Sequence, residues 1–330
     1  MGKVRELAKL AAATQLLPAM EGGEELLVGG QAVIEGVMMR SPHAYCIAVR
    51  KPDGSIATHR ETIHRPSERH KIFRYPVLRG LGTLGQALTL GVKSLKFSAD
   101  TALAEEQAGK AEDGKKAEIS PWLMTANIVF SLGFFIVFYK FIPLVLTTAL
   151  KERVPLVGNH FVFNFVDGII RIVLFVAFLL VLSRWKDIHR VFEYHGAEHK
   201  TVFNFESGQA VNLENARRFI TLHPRCGTSF MIVIMLISMA VYTLIPFDSF
   251  VARMITRIVS LPLIAGVSYE LIRFAAKHQG TLWAAMVAPG LWLQKITTQE
   301  PADDQLEIAI HALDQAMALE KQNGGELVIA

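Results

Sequence analysis

The stretch Glu193-Tyr194-His195-Gly196-Ala197-Glu198-His199-Lys200 carries two histidines four residues apart, with a glutamate directly before the second histidine. If the stretch is helical, residues i and i+4 lie on one side of the helix, about 6 Å apart along its axis. Two imidazoles at that spacing can bind one metal ion, and Glu198 would lie close enough to activate a water molecule there. The spacing matches the H-x-x-E-H pattern of inverted zincins. The competing interpretation is an interfacial helix that is rich in His and Glu and binds no metal.

Two further glutamates are candidate site residues. Glu206 lies seven residues after His199, on nearly the same helix face, and Gly208 is a plausible helix end. Glu270 lies near the end of a later apolar segment, which the topology predicted below brings to the same side of the membrane. Either carboxylate could therefore contribute to a metal site.

His223 and Cys226 stand directly before an apolar segment, and Pro224 presents His223 rigidly. A cysteine near a helix start has a lowered pKa, which favours the thiolate that binds metals. Because tetrahedral zinc takes three or four ligands from His, Cys and carboxylates, we predict a divalent metal, with zinc as the first choice. The predicted ligands are His195, His199, His223 and Cys226, with Glu198 as the general base. The competing interpretation makes the segment 223–226 only a structural cap.

The composition indicates a membrane protein with a sizeable polar part. Of the 330 residues, 51% are hydrophobic and 19% are charged, which is too apolar for an ordinary soluble domain and too charged for a protein that lies wholly in a membrane. The net charge of +4 does not indicate nucleic-acid binding, because Lys and Arg are scattered and no nucleic-acid motif is present. Cys46 and Cys226 lie far apart, so we expect two reduced cytosolic thiols and no disulfide framework.

Four apolar segments predict four transmembrane helices, at residues 122–139, 161–182, 230–245 and 255–274. Lys140 and Pro143 mark either the end of the first helix or a kink within a longer one, and Pro262 predicts a kink in the fourth. Asp167 and Arg171 lie four residues apart inside the second and can pair on one face. Charges inside a membrane are costly enough to suggest a function, although this pair could also be purely structural.

The polar regions predict a small sheet and several amphipathic helices. Residues 26–40, 44–50 and 55–63 are predicted to form two or three strands, with a turn at Lys51-Pro52-Asp53-Gly54. Glu35 is then either an edge carboxylate or a site residue that points inward. Leucines at helical spacing within 76–97 predict a helix that lies either in the membrane interface or in the core of the polar part.

The predicted fold is an α-helical integral membrane protein of about four transmembrane helices, with a small N-terminal cytoplasmic β-containing region and interfacial amphipathic helices. Its segments are a tail or amphipathic helix without signal-peptide features (1–25), a β-rich region with an interfacial helix (26–100), a linker (101–120), a four-span domain with a His-rich loop at 183–228 (121–295), and an amphipathic helix with a tail (296–330). Within the four-span domain, residues 281–292 are apolar but too short to cross, which predicts an interfacial or re-entrant segment.

The distribution of Lys and Arg predicts the orientation. The His-rich loop and the N-terminal region are basic, whereas the turns at 150–162 and 246–254 carry few cations. Because cytoplasmic loops carry the excess of Lys and Arg, we expect both termini and the His-rich loop to lie in the cytoplasm.

Four sequence blocks resemble those of the DUF1385 family. They are Gly29–Arg40, Tyr194–Lys200, His223–Thr228 and Pro289–Gln294, and the likeness extends from about residue 27 to about residue 309. This is an uncharacterised family of bacterial membrane proteins, often labelled as predicted metal-dependent enzymes. The resemblance implies an inner-membrane location and a functional role for the residues of the blocks, namely Glu35, Arg40, His195, Glu198, His199, His223 and Cys226.

Three hypotheses follow for the function. The first is a membrane-embedded, cytoplasm-facing metal-dependent enzyme, a hydrolase of a peptide bond near the membrane or of a lipid-linked group. The second is a non-enzymatic scaffold or assembly factor for membrane proteins, with a structural metal or none. The third is a transporter, which rests on Asp167 and Arg171 and is disfavoured because no internal repeat is visible. The expected partners are the lipid bilayer and a membrane protein, with self-association left open and nucleic acid excluded.

Overall fold

A computed structural model of the protein describes residues 28–108, 121–277 apart from 225, 246 and 248, and 288–322. The predicted N-terminal tail, most of the predicted linker and most of the predicted re-entrant segment lie outside the described residues. Strands β1–β4 comprise Gly29–Val33, Gly36–Arg40, Ala44–Arg50 and Ile56–Thr62. Helices α1–α12 comprise Pro66–Arg69, Leu78–Ala108, Pro121–Ile136, Ile142–Arg153, His160–Leu182, Lys186–Glu206, Leu213–Arg218, Gly227–Thr243, Phe250–Val259, Leu261–Lys277, Ala288–Thr297 and Asp303–Gln322.

The four strands form an antiparallel meander in which each strand pairs with the next. The segment 26–40, which belongs to the region predicted as two or three strands, forms two strands by itself, because the chain reverses at Ile34 and Glu35, and Glu35 adopts a φ of 53°. A pattern of period two does not reveal a two-residue reversal, which explains why the sequence suggested only two or three strands. The predicted turn at 51–54 joins β3 to β4, and Gly54 there has a φ of 85°.

The sheet is covered by helices on both faces. Alternate side chains such as Met39 and Ala48 pack against α6 and α12, whereas Met38 and Ile47 pack against Leu90 of α2. This alternation follows from the period-two geometry of a strand. The C-terminal helix and the helix of the histidine motif are therefore layers of the same unit as the N-terminal sheet.

Helix α2 faces the sheet with residues other than the predicted leucine stripe. Leu90, Ser94 and Ser98 are buried, whereas Leu88 and Leu95 of the stripe are 71% and 45% exposed. Part of the stripe thus faces outward, and the contact with the sheet is made by other residues of the helix. The helix also continues to Ala108, eight residues into the predicted linker 101–120, because the Ala- and Glu-rich sequence there favours a helix.

Among the described residues, two helices are long and apolar enough to cross a membrane, Thr125–Arg153 and His160–Leu182. The bent pair Phe250–Val259 and Leu261–Ala275 makes a third if it counts as one helix. The first runs through Pro143 as a single helix with a π-helical turn at Val137–Phe141. The pair is bent by 49° directly before Pro262, as predicted. The remaining apolar helix, α8, has 17 residues, somewhat fewer than the roughly 20 that a full crossing needs.

Helices α5 and α8 pack antiparallel. His160, the first residue of α5, places its Nε2 3.0 Å from the carbonyl oxygen of Thr243, the last residue of α8. The other end of α5 leads through three residues into α6, and the other end of α8 begins directly after Cys226. The helical bundle thus has two ends, one beside the sheet and α6, the other at the His160–Thr243 contact.

Glu320 fixes the end of α12 to the connection between β2 and β3. Its side chain is buried, and its carboxylate accepts hydrogen bonds from Ser41 Oγ at 2.7 Å and from the backbone N and Nδ1 of His43, both at 2.8 Å.

We expect Glu320→Gln to lower the free energy of unfolding by about 2 kcal/mol, because a neutral amide cannot replace a charged acceptor for three donors. Thermal unfolding of the purified protein in detergent measures the loss. The control is Glu307→Gln on the same helix. The exposed carboxylate of Glu307 lies 3.4 Å from Arg50, and its loss should change the free energy of unfolding by less than about 0.5 kcal/mol.

The stabilisation from Glu320 should also depend on pH. Hydrogen bonds from Ser41 and His43 outweigh burial and lower the pKa of Glu320 below its ordinary 4.5, so its contribution is lost as pH falls through that lowered pKa. Glu320 and the facing Glu68 raise the pKa of His43 above its ordinary 6.5, so that contribution is lost as pH rises through the raised pKa. The difference in unfolding temperature between wild type and Glu320→Gln should therefore be largest between pH 4.5 and 6.5. A pH-independent difference would contradict this assignment.

Candidate metal centre

Helix α6 carries the histidine motif through the centre of the polar unit. Its residues 196–204 are all buried, between β1 and β2 on one side and α12 on the other. The predicted helical conformation of the motif is confirmed. Gly196 allows this close packing, since a Cβ there would lie 1.9 Å from the carbonyl oxygen of Gln299.

Three of the predicted ligands converge. One side-chain atom each from His195, His199 and Cys226 lies within 4.8 Å of the others. Nε2 of His195 is 3.2 Å from Sγ of Cys226, and the two imidazole rings are 4.4 Å apart. His195 and His199 come from adjacent turns of α6, whereas Cys226 is the N-cap of α8. The cluster therefore joins the polar unit to the helical bundle.

Backbone carbonyls hold both rings in one tautomer. Nδ1 of His195 is 2.8 Å from the carbonyl oxygen of Thr297, and Nδ1 of His199 contacts the carbonyl oxygen of Thr221. A carbonyl oxygen only accepts hydrogen bonds, so each Nδ1 must carry the proton and donate it. In the neutral rings, both Nε2 atoms then present a lone pair. An outer hydrogen bond of this kind is typical of metal-binding histidines.

The protonation states also suit metal binding. Burial lowers the pKa of His199 to about 4, so its ring is neutral at physiological pH. Burial alone would raise the pKa of the Cys226 thiol, but His199 and hydrogen bonds from Thr228 outweigh it, and the net shift is downward. Neutral imidazole and thiolate are the forms that bind a metal.

The separation of one donor pair is close to what a zinc-sized ion requires. With bonds of about 2.0 Å to nitrogen and 2.3 Å to sulfur, two ligands of a tetrahedral ion lie about 3.5 Å apart. The observed separation of 3.2 Å between His195 Nε2 and Cys226 Sγ is close to that value. Two nitrogens and one sulfur also match the ligands of catalytic zinc sites, which keep a fourth position open.

Glu198 lies on the side of α6 that faces β1. Its side chain is buried, the backbone N–H of Gly30 donates to its carboxylate, and the group interacts electrostatically with His195 and Cys226. Burial raises the pKa of Glu198 to about 7, even though His195 and Gly30 act in the opposite direction. A carboxyl group with a pKa near 7 can both accept and release a proton at neutral pH.

His223, the fourth predicted ligand, lies beside the cluster and is not one of the three converging residues. Its ring packs against Phe203 at 4.5 Å and His199 at 5.6 Å, and its Nε2 is 3.2 Å from Oε2 of Glu206. Glu206, another predicted site residue, thus contacts His223 in place of a shared ion. His223 therefore lies beside the three converging donors, and its role as a fourth ligand stays a prediction.

The remaining candidates lie at separate contacts. Glu35 forms an ion pair with Arg190 of α6, with Oε2 2.7 Å from Nη2, and so ties the β1–β2 turn to that helix. Glu270 forms an ion pair with Arg79 of α2, and its place in the site stays a prediction. Arg40 ends β2, and partial burial lowers the pKa of its guanidinium.

The family model described as "Protein of unknown function (DUF1385)" matches residues 75–319, well over half of the chain. This chain belongs to the DUF1385 family. It is also 32% identical, over 297 residues, to a protein of Bacillus subtilis (strain 168) named "Uncharacterized protein YqhQ", and the match covers 88% of this chain and 92% of that protein. No solved structure matches it. The range matched by the DUF1385 model includes His195, His199 and Cys226, whereas Glu35 and Arg40 precede it.

Three residues of this DUF1385 protein support the site and were not singled out from the sequence. Thr221 and Thr297 act through backbone carbonyls, for which a sequence has no signal. Gln294 clamps the backbone of His223, with bonds of 2.7 Å to both its N–H and its carbonyl, and reaches Ser229 at 2.9 Å. Gln294 is the last residue of the block Pro289–Gln294, and its place in that block could have marked it as a candidate site residue.

Gly196 should be essential for the position of His195. We expect Gly196→Ala to destabilise the protein by about 3 kcal/mol or more, because the new methyl group would meet a backbone carbonyl that cannot rotate away. A loss of stability would point to this steric contact, because replacing glycine by alanine inside a helix otherwise stabilises the helix by about 1 kcal/mol. Thermal unfolding measures the effect. Gly85→Ala in α2, where nothing lies within 4 Å, is the matched control and should be neutral or stabilising.

Proposed function

We propose that this protein is a metal-dependent enzyme of the bacterial inner membrane whose site faces the cytoplasm, and that its reaction is hydrolysis of a peptide or lipid-linked substrate. The observation that carries the proposal is the convergence of His195, His199 and Cys226 within 4.8 Å, with both Nδ1 atoms engaged by carbonyls. This arrangement leaves two nitrogen lone pairs and one sulfur as free donors in one cluster.

Each residue has a role under this proposal. His195 and His199 would hold the ion through Nε2 and Cys226 would hold it through Sγ. A bound ion, zinc by its ligands, would supply a Lewis acid. Glu198 takes a proton from the attacking water and returns it to the leaving group, a role for which its pKa of about 7 is suited. His223 packs against the ring of His199 and is itself held by Glu206, so both residues help to fix the position of that ring.

The proposed membrane placement rests on the apolar helices. Many large apolar side chains of α3 and α5 are exposed, including Phe130 at 73%, Phe161 at 65% and Val181 at 64%. Lipid contact accounts for such exposure. In the proposed four-span arrangement α8 and the bent pair α9–α10 complete the bundle, and the basic segment 183–228 keeps the metal centre on the cytoplasmic side.

Elemental analysis of protein purified in detergent without added metal tests the site. We expect about one equivalent of zinc or a similar ion in the wild type, and less than about a tenth of that in His195→Ala and Cys226→Ser, because two ligands do not retain an ion through purification. The matched control is His189→Ala, on an exposed part of the same helix. Full metal content in folded His195→Ala and Cys226→Ser protein would refute the proposed ligands.

Glu198→Gln separates the enzyme from the scaffold hypothesis. The scaffold is favoured by strand β4, which forms an edge of the sheet and is exposed along nearly its whole length, as a partner-binding strand would be. An enzyme should lose at least about 100-fold in activity on Glu198→Gln while it keeps its metal, since the amide cannot accept a proton. A scaffold should keep its function in cells when Glu198 is replaced by Gln.

The readout is a replacement experiment in cells. Each variant replaces the chromosomal gene, and the membrane peptides and lipids are compared with those of the wild type by mass spectrometry. If the protein is a hydrolase, the same species accumulate in Glu198→Gln cells and in cells without the gene. The control is Glu193→Gln, one turn earlier on the helix. A wild-type profile in Glu198→Gln cells would favour the scaffold.

A further inference from the structure

A second cluster of charged side chains is buried in the helical bundle, at the end marked by the His160–Thr243 contact. Lys140, Asp167, Arg171 and Arg257 are each at most 3% exposed. They come from the π-helical turn, from α5 and from α9. Given the length of α8, this cluster lies roughly 22 Å from the metal centre, so the two sites are separate.

One carboxylate connects two of the cations. Oδ1 of Asp167 is 2.6 Å from Nη1 of Arg257, and Oδ2 of Asp167 contacts Arg171, as the sequence predicted for that pair. Lys140 donates to the hydroxyl of Tyr242 at 2.9 Å. The charged ends of Lys140, Arg171 and Arg257 all lie 5.3 Å from the centre of the Tyr242 ring.

The charges of this cluster do not balance. Among the described residues, Arg171 and Arg257 share the one buried carboxylate of Asp167, which leaves an excess of one positive charge between apolar helices, and Lys140 adds a third buried basic group. Uncompensated buried charge is strongly unfavourable in such surroundings. Two guanidinium donors, Nε of Arg171 and Nη2 of Arg257, are also buried without a hydrogen-bond partner. An anion would satisfy both the charge and the donors.

A small cavity lies beside Arg257. It has a volume of about 10 Å³ and is lined by Asn164, Tyr242, Arg253 and Arg257, among others. That volume admits about one water-sized group. It therefore fits one oxygen atom of a larger anion, whose remaining atoms would lie towards the end of the bundle.

We propose that this cluster binds an oxyanion of the phosphate class, which inserts one oxygen beside Arg257. Guanidinium groups favour phosphate and carboxylate over other anions, because their forked N–H donors match two oxygens. The phosphate belongs either to a lipid headgroup at this border of the bundle or to a free ion. The net positive charge disfavours a cation.

Thermal unfolding of the full chain in detergent tests the proposal. Inorganic phosphate, or phosphatidylglycerol, should raise the unfolding temperature by at least about 4 °C at saturation, because a ligand that binds only the folded state stabilises it. Sodium chloride at equal ionic strength is the control for phosphate, and diacylglycerol with the same acyl chains is the control for the lipid. A shift with phosphate assigns a free ion, and a shift with the lipid alone assigns a headgroup.

Variants then locate the binding site. Arg257→Lys keeps the positive charge but loses the forked pair of N–H donors. Lys140→Gln removes one charge but keeps a donor for Tyr242. Both variants should bind the ligand that stabilises the wild type at least about 10-fold more weakly. Arg217→Gln, which removes an exposed ion pair with Asp303, is the control and should leave the affinity for that ligand unchanged. If neither ligand shifts wild-type unfolding beyond its control, or if the shift is unchanged in folded Lys140→Gln, the proposal is wrong. The wild-type titration decides alone if the variants do not fold.

Discussion

The close approach of α6 to the chain after α11 is the contact on which the polar unit and its candidate metal centre depend. Gly196 has no side chain, so the helix can lie directly against the carbonyl of Gln299, whose N–H in turn donates to the carbonyl of Phe192 at 2.9 Å. The same approach brings the carbonyl of Thr297 to Nδ1 of His195. Backbone atoms, which cannot rotate away, thus set the position and the tautomer of the imidazole. This preorganisation is what a metal ligand requires, since an ion binds well only where its donors are already aligned.

The two ends of the helical bundle use opposite chemistry. Beside the sheet, burial keeps His199 neutral and its neighbours favour the Cys226 thiolate, so the donors there suit a cation. At the other end, buried Arg171 and Arg257 exceed the single carboxylate of Asp167 among the described residues, so the donors there suit an anion. Low dielectric surroundings strengthen both preferences, because water is not available to screen the charges. Helix α8 connects the two ends, with Cys226 as its N-cap and Tyr242 near its last turn.

Local patterns were reliable where the chemistry lies within one element. The i, i+4 spacing of His195 and His199 correctly indicated a helix that presents both rings to one point, and the Asp167–Arg171 pair forms as its spacing suggested. Local patterns carried no information where a residue depends on a distant partner. His223 contacts Glu206 and Phe203, and Glu270 pairs with Arg79 of α2. Nothing in the local sequence around His223 or Glu270 specifies these contacts, because they arise from the way separate helices pack.

The sequence by itself determined the helical nature of the histidine motif, the apolar helices, the sheet-forming region and the membership of the DUF1385 family, because periodicity, composition and long sequence blocks are local properties of a chain. Only the tertiary structure decided that Cys226 joins His195 and His199, that Thr221 and Thr297 orient the rings, and that Arg257 enters the Asp167 pair. These contacts join residues up to 102 positions apart. Their formation depends on the three-dimensional path of the backbone, which no pattern of neighbouring residues encodes.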